Sequence, residues 1–198
     1  MPSSITRAQF VRGGMTGGLA LVAGGTGRAA ASGTARAATA TGDVAIAKVA
    51  ATAELLAVDF YTRSINSGAF GGRRERYLSG ARAQEQDHYD ALAQIIGADA
   101  PRGLKFKYPA GTFASRDAAS RVGIALENAF IGAYIGAVRA LESPDLKVVA
   151  AGIGANEQGH LIVFTDILTG LPVGPTSFPH TLELSADQAV AALSGFIA

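Results

Sequence analysis

The sequence predicts an all-α protein, a bundle of four long helices with one long crossover and a short fifth helix at the carboxyl end. Three observations carry this reading. Apolar residues recur at spacings of three and four along four separate stretches of about 25 residues. Two of the breaks between them are short and the middle one is long. Each apolar stripe also contains a glutamate at a position that should face the core.

The amino end precedes the bundle. Arg7 and Arg12 give a positive start, residues 13–25 form a short Gly-rich apolar stretch, and small-residue patterns follow at Ala29-Ala30-Ala31, Ala35-Arg36-Ala37 and Ala38-Thr39-Ala40. That three-part order is the layout of a secretory signal. Thr6-Arg7-Ala8-Gln9-Phe10-Val11-Arg12 resembles a twin-arginine export signal, with Ala8 where the second arginine belongs. The export route therefore stays open. Residues 1–42 are expected to be export signal and linker, residues 43–198 the folded domain, and the mature protein periplasmic or secreted. A disordered Ala/Gly tail on a cytoplasmic protein is the plainer alternative. The apolar stretch is too short for a membrane span, and no other segment approaches about 20 apolar residues.

The first helix carries Val44, Ala47, Ala51, Glu54, Val58, Tyr61 and Ile65 on one stripe, and Asn66-Ser67-Gly68 stops it. The second turns Leu78, Ala81, Glu85, His88, Leu92 and Ile95 inward and ends at Gly97. Residues 98–115, with Pro101 and Pro109, lack a helical pattern. Extended, such a segment reaches about 60 Å, enough to run the length of a helix of about 37 Å. Ser115 is an N-cap for the third helix, which carries Ile124, Glu127, Ile131, Tyr134, Val138 and Leu141. Ser143-Pro144-Asp145 breaks it and starts the fourth, with Val149, Ile153, Glu157, His160, Phe164 and Ile167 or Leu168, ending at Gly170. After Pro172, Pro175 and Pro179, the capping box Ser185-Ala186-Asp187-Gln188 opens a last helix with Val190, Leu193 and Ile197 as its stripe. It is expected to pack on the bundle or on a neighbouring subunit.

Composition narrows the chemistry. With no cysteine there are no disulfides, thiolate metal sites or cysteine nucleophiles. A net charge of +1 gives no footprint for nucleic acid or an anionic membrane. No serine or lysine has a nucleophile setting, and the Gly clusters match no phosphate loop. Histidine occurs only at 88, 160 and 180. His180 sits in the Pro-rich connector and reads as a solvated loop residue.

The other two histidines each follow a glutamate by three positions, in Glu85-Gln86-Asp87-His88 and Glu157-Gln158-Gly159-His160. Residues three apart share a helix face, so each pair can present a carboxylate and an imidazole to one point. Alone, such a pair is usually a solvated surface pair. Here both lie on apolar stripes, with Glu54 and Glu127 on the two remaining helices. Burying one unpaired carboxylate costs several kcal/mol. Two divalent cations would cancel four carboxylates, and two neutral imidazoles would complete the ligand set. Glu and His suit iron, manganese or zinc. The arrangement also repeats: Glu54 precedes Glu85 by 31 positions and Glu127 precedes Glu157 by 30, while Tyr61 and Tyr134 each follow their glutamate by seven. The chain thus reads as two similar helix pairs about a pseudo-two-fold axis. As a plainer reading, Tyr61 and Tyr134 are amphipathic core tyrosines.

The order Glu, Glu-x-x-His, Glu, Glu-x-x-His at Glu54, Glu85, His88, Glu127, Glu157 and His160 resembles the ferritin-like carboxylate two-metal bundles. ELLAVDFYTRSI, YPAGTFASR and ENAFIGAYIGAV resemble, more narrowly, exported bacterial ferritin-like proteins related to plant desiccation-related proteins. The resemblance implies a ferritin-like bundle with Glu54 and Glu127 as terminal ligands, Glu85 and Glu157 as bridges, and His88 and His160 completing one metal each. It implies that Tyr61 and Tyr134 hydrogen-bond ligand carboxylates, and that Gln84 and Asn156 accept from the opposing histidines.

From this follows the expectation of a di-iron or di-manganese centre, iron before manganese, acting on dioxygen or hydrogen peroxide. Ferroxidase, peroxidase and catalase types of activity are all compatible, with Fe(II) as a substrate and a role in stress protection. Metal storage or sequestration, which needs a shell of many subunits, is one alternative. A non-catalytic, desiccation-related structural protein is another. A homo-oligomer is allowed; neither nucleic acid nor a membrane span is expected.

Overall fold

The structure, a computed structural model, describes residues 42–170 and 183–197. The expected export signal and the connector holding Pro172, Pro175, Pro179 and His180 lie outside the described residues. The helices are α1 (Gly42–Asn66), α2 (Arg73–Ile96), α3 (Arg116–Ala140), α4 (Pro144–Thr169) and the short α5 (Ala186–Ser194). The expected all-α bundle with one crossover is present. Gly42, grouped with the linker from sequence, is instead the first residue of α1.

Local chemistry explains the boundaries. Gly97 closes α2 at φ 77°, a backbone conformation that side chains beyond glycine rarely adopt. Ser115 caps α3 by accepting from the Ala118 amide at 3.1 Å. Ser143 caps α4, Pro144 occupies its first turn, and left-handed Gly170 ends it. Both halves of the Ser185–Gln188 capping box form at the start of α5.

α1 packs chiefly on α2 and α3 on α4, while α5 lies on α3 and α1. The buried core falls into two clusters. One joins the second half of α1 (Leu56, Phe60) to the first halves of α2 and α3 (Leu78, Leu126) and to Phe164 of α4. The other joins the first half of α1 (Ala47, Ala51) to Tyr89 and Leu92, to Tyr134 and Leu141, and to Ile153. On α2 and α4 the conspicuous glutamate falls between residues of the two clusters, while on α1 and α3 Glu54 and Glu127 sit in the end of the first cluster that adjoins the second.

The crossover, residues 97–115, runs from one cluster to the other. Tyr89 donates to the Pro101 carbonyl at 2.8 Å near its beginning. Further on, Arg63 donates to the Phe106 carbonyl at 3.1 Å and Tyr108 donates to Asp59 at 2.9 Å. The Lys107 amide bonds the Phe196 carbonyl at 2.7 Å, so the crossover also holds the end of the chain.

Two expectations need correction. In α5 the buried residues are Ala189 and Leu193, while Val190 is 46% exposed. The helix is turned so that a small residue faces the bundle and the larger valine faces out. Among the described residues, α3 is long and apolar enough by length and composition to cross a membrane, where no such segment is expected from the sequence. In this fold that apolarity has a local cause: α3 packs against α4, α1 and α5 and turns Glu127 inward.

Candidate metal centre

Glu54 comes from α1, Glu85 and His88 from α2, Glu127 from α3, and Glu157 and His160 from α4. None is more than 2% exposed. They converge between the two apolar clusters. His88 Nδ1 lies 3.0 Å from Glu85 Oε2, 3.3 Å from Glu54 Oε2 and 3.3 Å from Glu157 Oε1. His160 Nδ1 lies 2.8 Å from Glu85 Oε1, 3.2 Å from Glu157 Oε2 and 4.0 Å from Glu127 Oε1. Glu85 and Glu157 each offer one oxygen to each imidazole. Their ligand atoms define two overlapping groups, Glu54, Glu85, His88 and Glu157, and Glu85, Glu127, Glu157 and His160, each within 4.8 Å.

The two tyrosines cross between the helix pairs. Tyr61 of α1 donates to Glu127 Oε1 of α3 at 2.5 Å, and Tyr134 of α3 donates to Glu54 Oε1 of α1. Glu54 keeps its other oxygen, Oε2, toward His88, whereas the Glu127 oxygen nearest His160 is the same Oε1 that accepts from Tyr61. Gln84 Oε1 accepts from His160 Nε2 at 3.0 Å and turns Nδ1 toward the carboxylates. The matching bond from His88 to Asn156 is not formed among the described residues, so the two-fold pattern fails there. Tyr77, which carries no sequence signal beyond its place on α2, meets the His160 ring edge-on at 6.3 Å and donates to the Gly159 carbonyl at 3.2 Å.

Packing so much charge into an apolar interior moves the titrations. Burial pushes the Glu54 carboxyl up to about 8, against the lowering effect of His88. Burial, reinforced by Glu157, holds Glu127 well above the usual carboxylate range. Burial also raises Glu157, but hydrogen bonds to His160 and His88 outweigh it and hold that carboxyl below its ordinary range. Burial lowers both imidazoles, yet the surrounding carboxylates outweigh it and hold His88 and His160 well above their ordinary value. In water-only chemistry, protons therefore do the charge balancing that cations would otherwise do.

The donor set fits metal. Glu127 Oε2 is buried with no hydrogen-bond partner, while Glu85 Oε1 and Glu157 Oε1 are buried and met only by imidazole nitrogens, at 2.8 Å and 3.3 Å. A buried carboxylate oxygen without a donor costs free energy unless a cation meets it. Hard carboxylate oxygens beside imidazole nitrogens suit iron, manganese or zinc. The cluster can hold metal ions.

Antiparallel helix pairs converging buried Glu and Glu-x-x-His groups define a class, the metal-binding carboxylate bundles. The family described as ferritin-like domain matches residues 42–170, all four long helices and the whole cluster. The chain belongs to that family. Comparison with curated proteins returns no match.

Proposed function

We propose that the chain binds two divalent metal ions, iron or manganese, and uses them in redox chemistry with dioxygen or hydrogen peroxide. The observation that carries the reading is the sharing of Glu85 and Glu157 by both metal-holding groups. Two separate sites would not need the same pair of carboxylates, whereas two adjacent ions do. Glu54 and His88 would complete one ion, and Glu127 and His160 the other. Bound there, such ions supply one-electron steps that oxidise Fe(II) or remove peroxide. The protein contributes the rest. Tyr61 and Tyr134 hold the outer carboxylates in place, Gln84 orients His160, and the two apolar clusters keep bulk water from the reacting centre. The three-part amino terminus supports export, so the proposal places this chemistry outside the cytoplasm, in stress protection.

The test is metal content followed by turnover. Loaded protein should hold two ions per chain by native mass spectrometry. It should also oxidise Fe(II) with consumption of dioxygen or peroxide. Two bound ions with neither oxidant consumed would show that the metals only brace the bundle. A large closed assembly in solution, with iron retained, would point to storage.

A further inference from the structure

We infer that a small apolar cavity beneath α5 binds dioxygen and admits it to the Glu54 side of the metal centre. The use made of the gas rests on the proposed function; its binding does not. The cavity measures about 30 Å³ and lies where α1, α3 and α5 meet. About 10–15 Å³ suffices for a water-sized molecule, so a diatomic gas fits. Its wall includes Ala50 and Ala53 of α1, Ala133 and Tyr134 of α3, and Ala189 and Leu193 of α5. Alanine at four of these places leaves the space that a larger side chain would fill.

Wall chemistry selects the guest. Water held in a cavity needs two to four polar partners. Tyr134 carries the one polar group among those six side chains, and its hydroxyl is committed to Glu54. An apolar molecule loses nothing by entering. Position completes the argument, because the Tyr134 ring forms part of the wall and Ala53 directly precedes Glu54. The other half of the pseudo-two-fold is closed. Tyr61, the counterpart of Tyr134, is packed between the Phe60 ring at 5.8 Å and the Phe164 ring at 5.6 Å and is wholly buried. The repeat thus diverges: alanines leave a space beside Tyr134, with Phe130 also in its wall, whereas aromatic rings fill both sides of Tyr61. A polar oxidant such as peroxide gains nothing from this passage, so the two oxidants should separate.

The experiment uses the full chain loaded with zinc, which cannot react with oxygen. Methyl relaxation is compared by NMR under dioxygen and under nitrogen pressure. The methyls of Ala50, Ala133 and Ala189 should relax several-fold faster under dioxygen, well beyond the effect on exposed Val148. Ala133→Leu should remove that enhancement. In the iron-loaded protein it should slow Fe(II) oxidation by dioxygen several-fold and leave oxidation by peroxide unchanged. Ala189→Leu on α5 provides the same test should the first variant fold poorly. Cavity methyls relaxing no faster than those of Val148, or equal slowing with both oxidants, would overturn the inference. Gas binding without turnover by either oxidant would support the cavity and reject the redox function instead.

Discussion

Glu85 and Glu157 differ from the other four cluster residues in what their loss should do. Each sends one oxygen toward each imidazole, so each belongs to both halves of the site. Glu85→Ala or Glu157→Ala is expected to abolish binding of both ions. His88→Ala or His160→Ala should leave one ion bound, read as metal stoichiometry by native mass spectrometry. Equal losses for all four variants would mean that no carboxylate bridges. The tyrosines act one step further out. Tyr61→Phe removes the donor to buried Glu127, and Tyr134→Phe removes the donor to Glu54. Each should cost about 1–3 kcal/mol of metal-free stability in urea denaturation, the penalty of a stranded buried acceptor. The six residues of the buried cluster could be read from sequence because a carboxylate on an apolar helical stripe must meet a buried partner, and here the partners recur on all four helices. The failed pairing of Asn156 with His88 could not, since it depends on side-chain rotation that spacing does not encode. Tyr77 was unreadable for a similar reason, as its contact lies across the bundle on α4.

At the scale of the elements, helix ends matter as much as helix faces. Asp43, only 2% exposed at the start of α1, accepts from the Glu142 amide at 2.8 Å and the Ser143 amide at 2.9 Å. It ties the first helix to the turn between α3 and α4. Its partners lie about a hundred residues away, which is why the sequence, where Asp43 looks like an ordinary acidic helix start, does not reveal the clamp. Asp43→Ala strands two amides and is expected to destabilise the fold by about 1–3 kcal/mol, measured by chemical denaturation, with metal stoichiometry unchanged. α5 shows the same limit from another side. A nine-residue helix with four alanines leaves its inward face poorly specified by hydropathy, and the arm before it supplies the missing information. The Leu184 amide bonds the Gly132 carbonyl at 2.9 Å, and a Cβ on Gly136 would come within 1.8 Å of the Leu184 carbonyl oxygen. Glycine at 136 is thus a condition for the arm to lie on α3. Gly136→Ala should displace the arm and speed hydrogen exchange at the Leu184 amide, while the four long helices keep their protection. Unchanged exchange at Leu184 would show that α3 or the arm shifts to make room.

For the whole molecule, the governing question is what balances the charge between the two apolar clusters. Without metal, protons do. Glu54 binds its proton up to about pH 8, while the same side chain in the unfolded chain loses it near 4.5. A native group that holds its proton more tightly adds stability that is fully present below the unfolded pKa. That stability is lost as pH rises through the folded value. Glu127, His88 and His160, all raised, act in the same direction. Glu157 is lowered and opposes them, adding stability above its ordinary pKa that is lost in strong acid. With four groups against one, the metal-free protein should lose stability steadily from about pH 5 to about pH 9. Metal ions require the opposite protonation, with ionised carboxylates and imidazoles free of a proton at Nδ1. Loading should therefore release protons into a weakly buffered solution, and apparent metal affinity should rise with pH. The gap in melting temperature between loaded and metal-free protein should be small near pH 5 and widen toward pH 9, as the metal-free curve falls and the loaded one does not. Parallel melting curves across that range would mean that the metals and these six side chains are not in contact, whatever the bundle around them looks like.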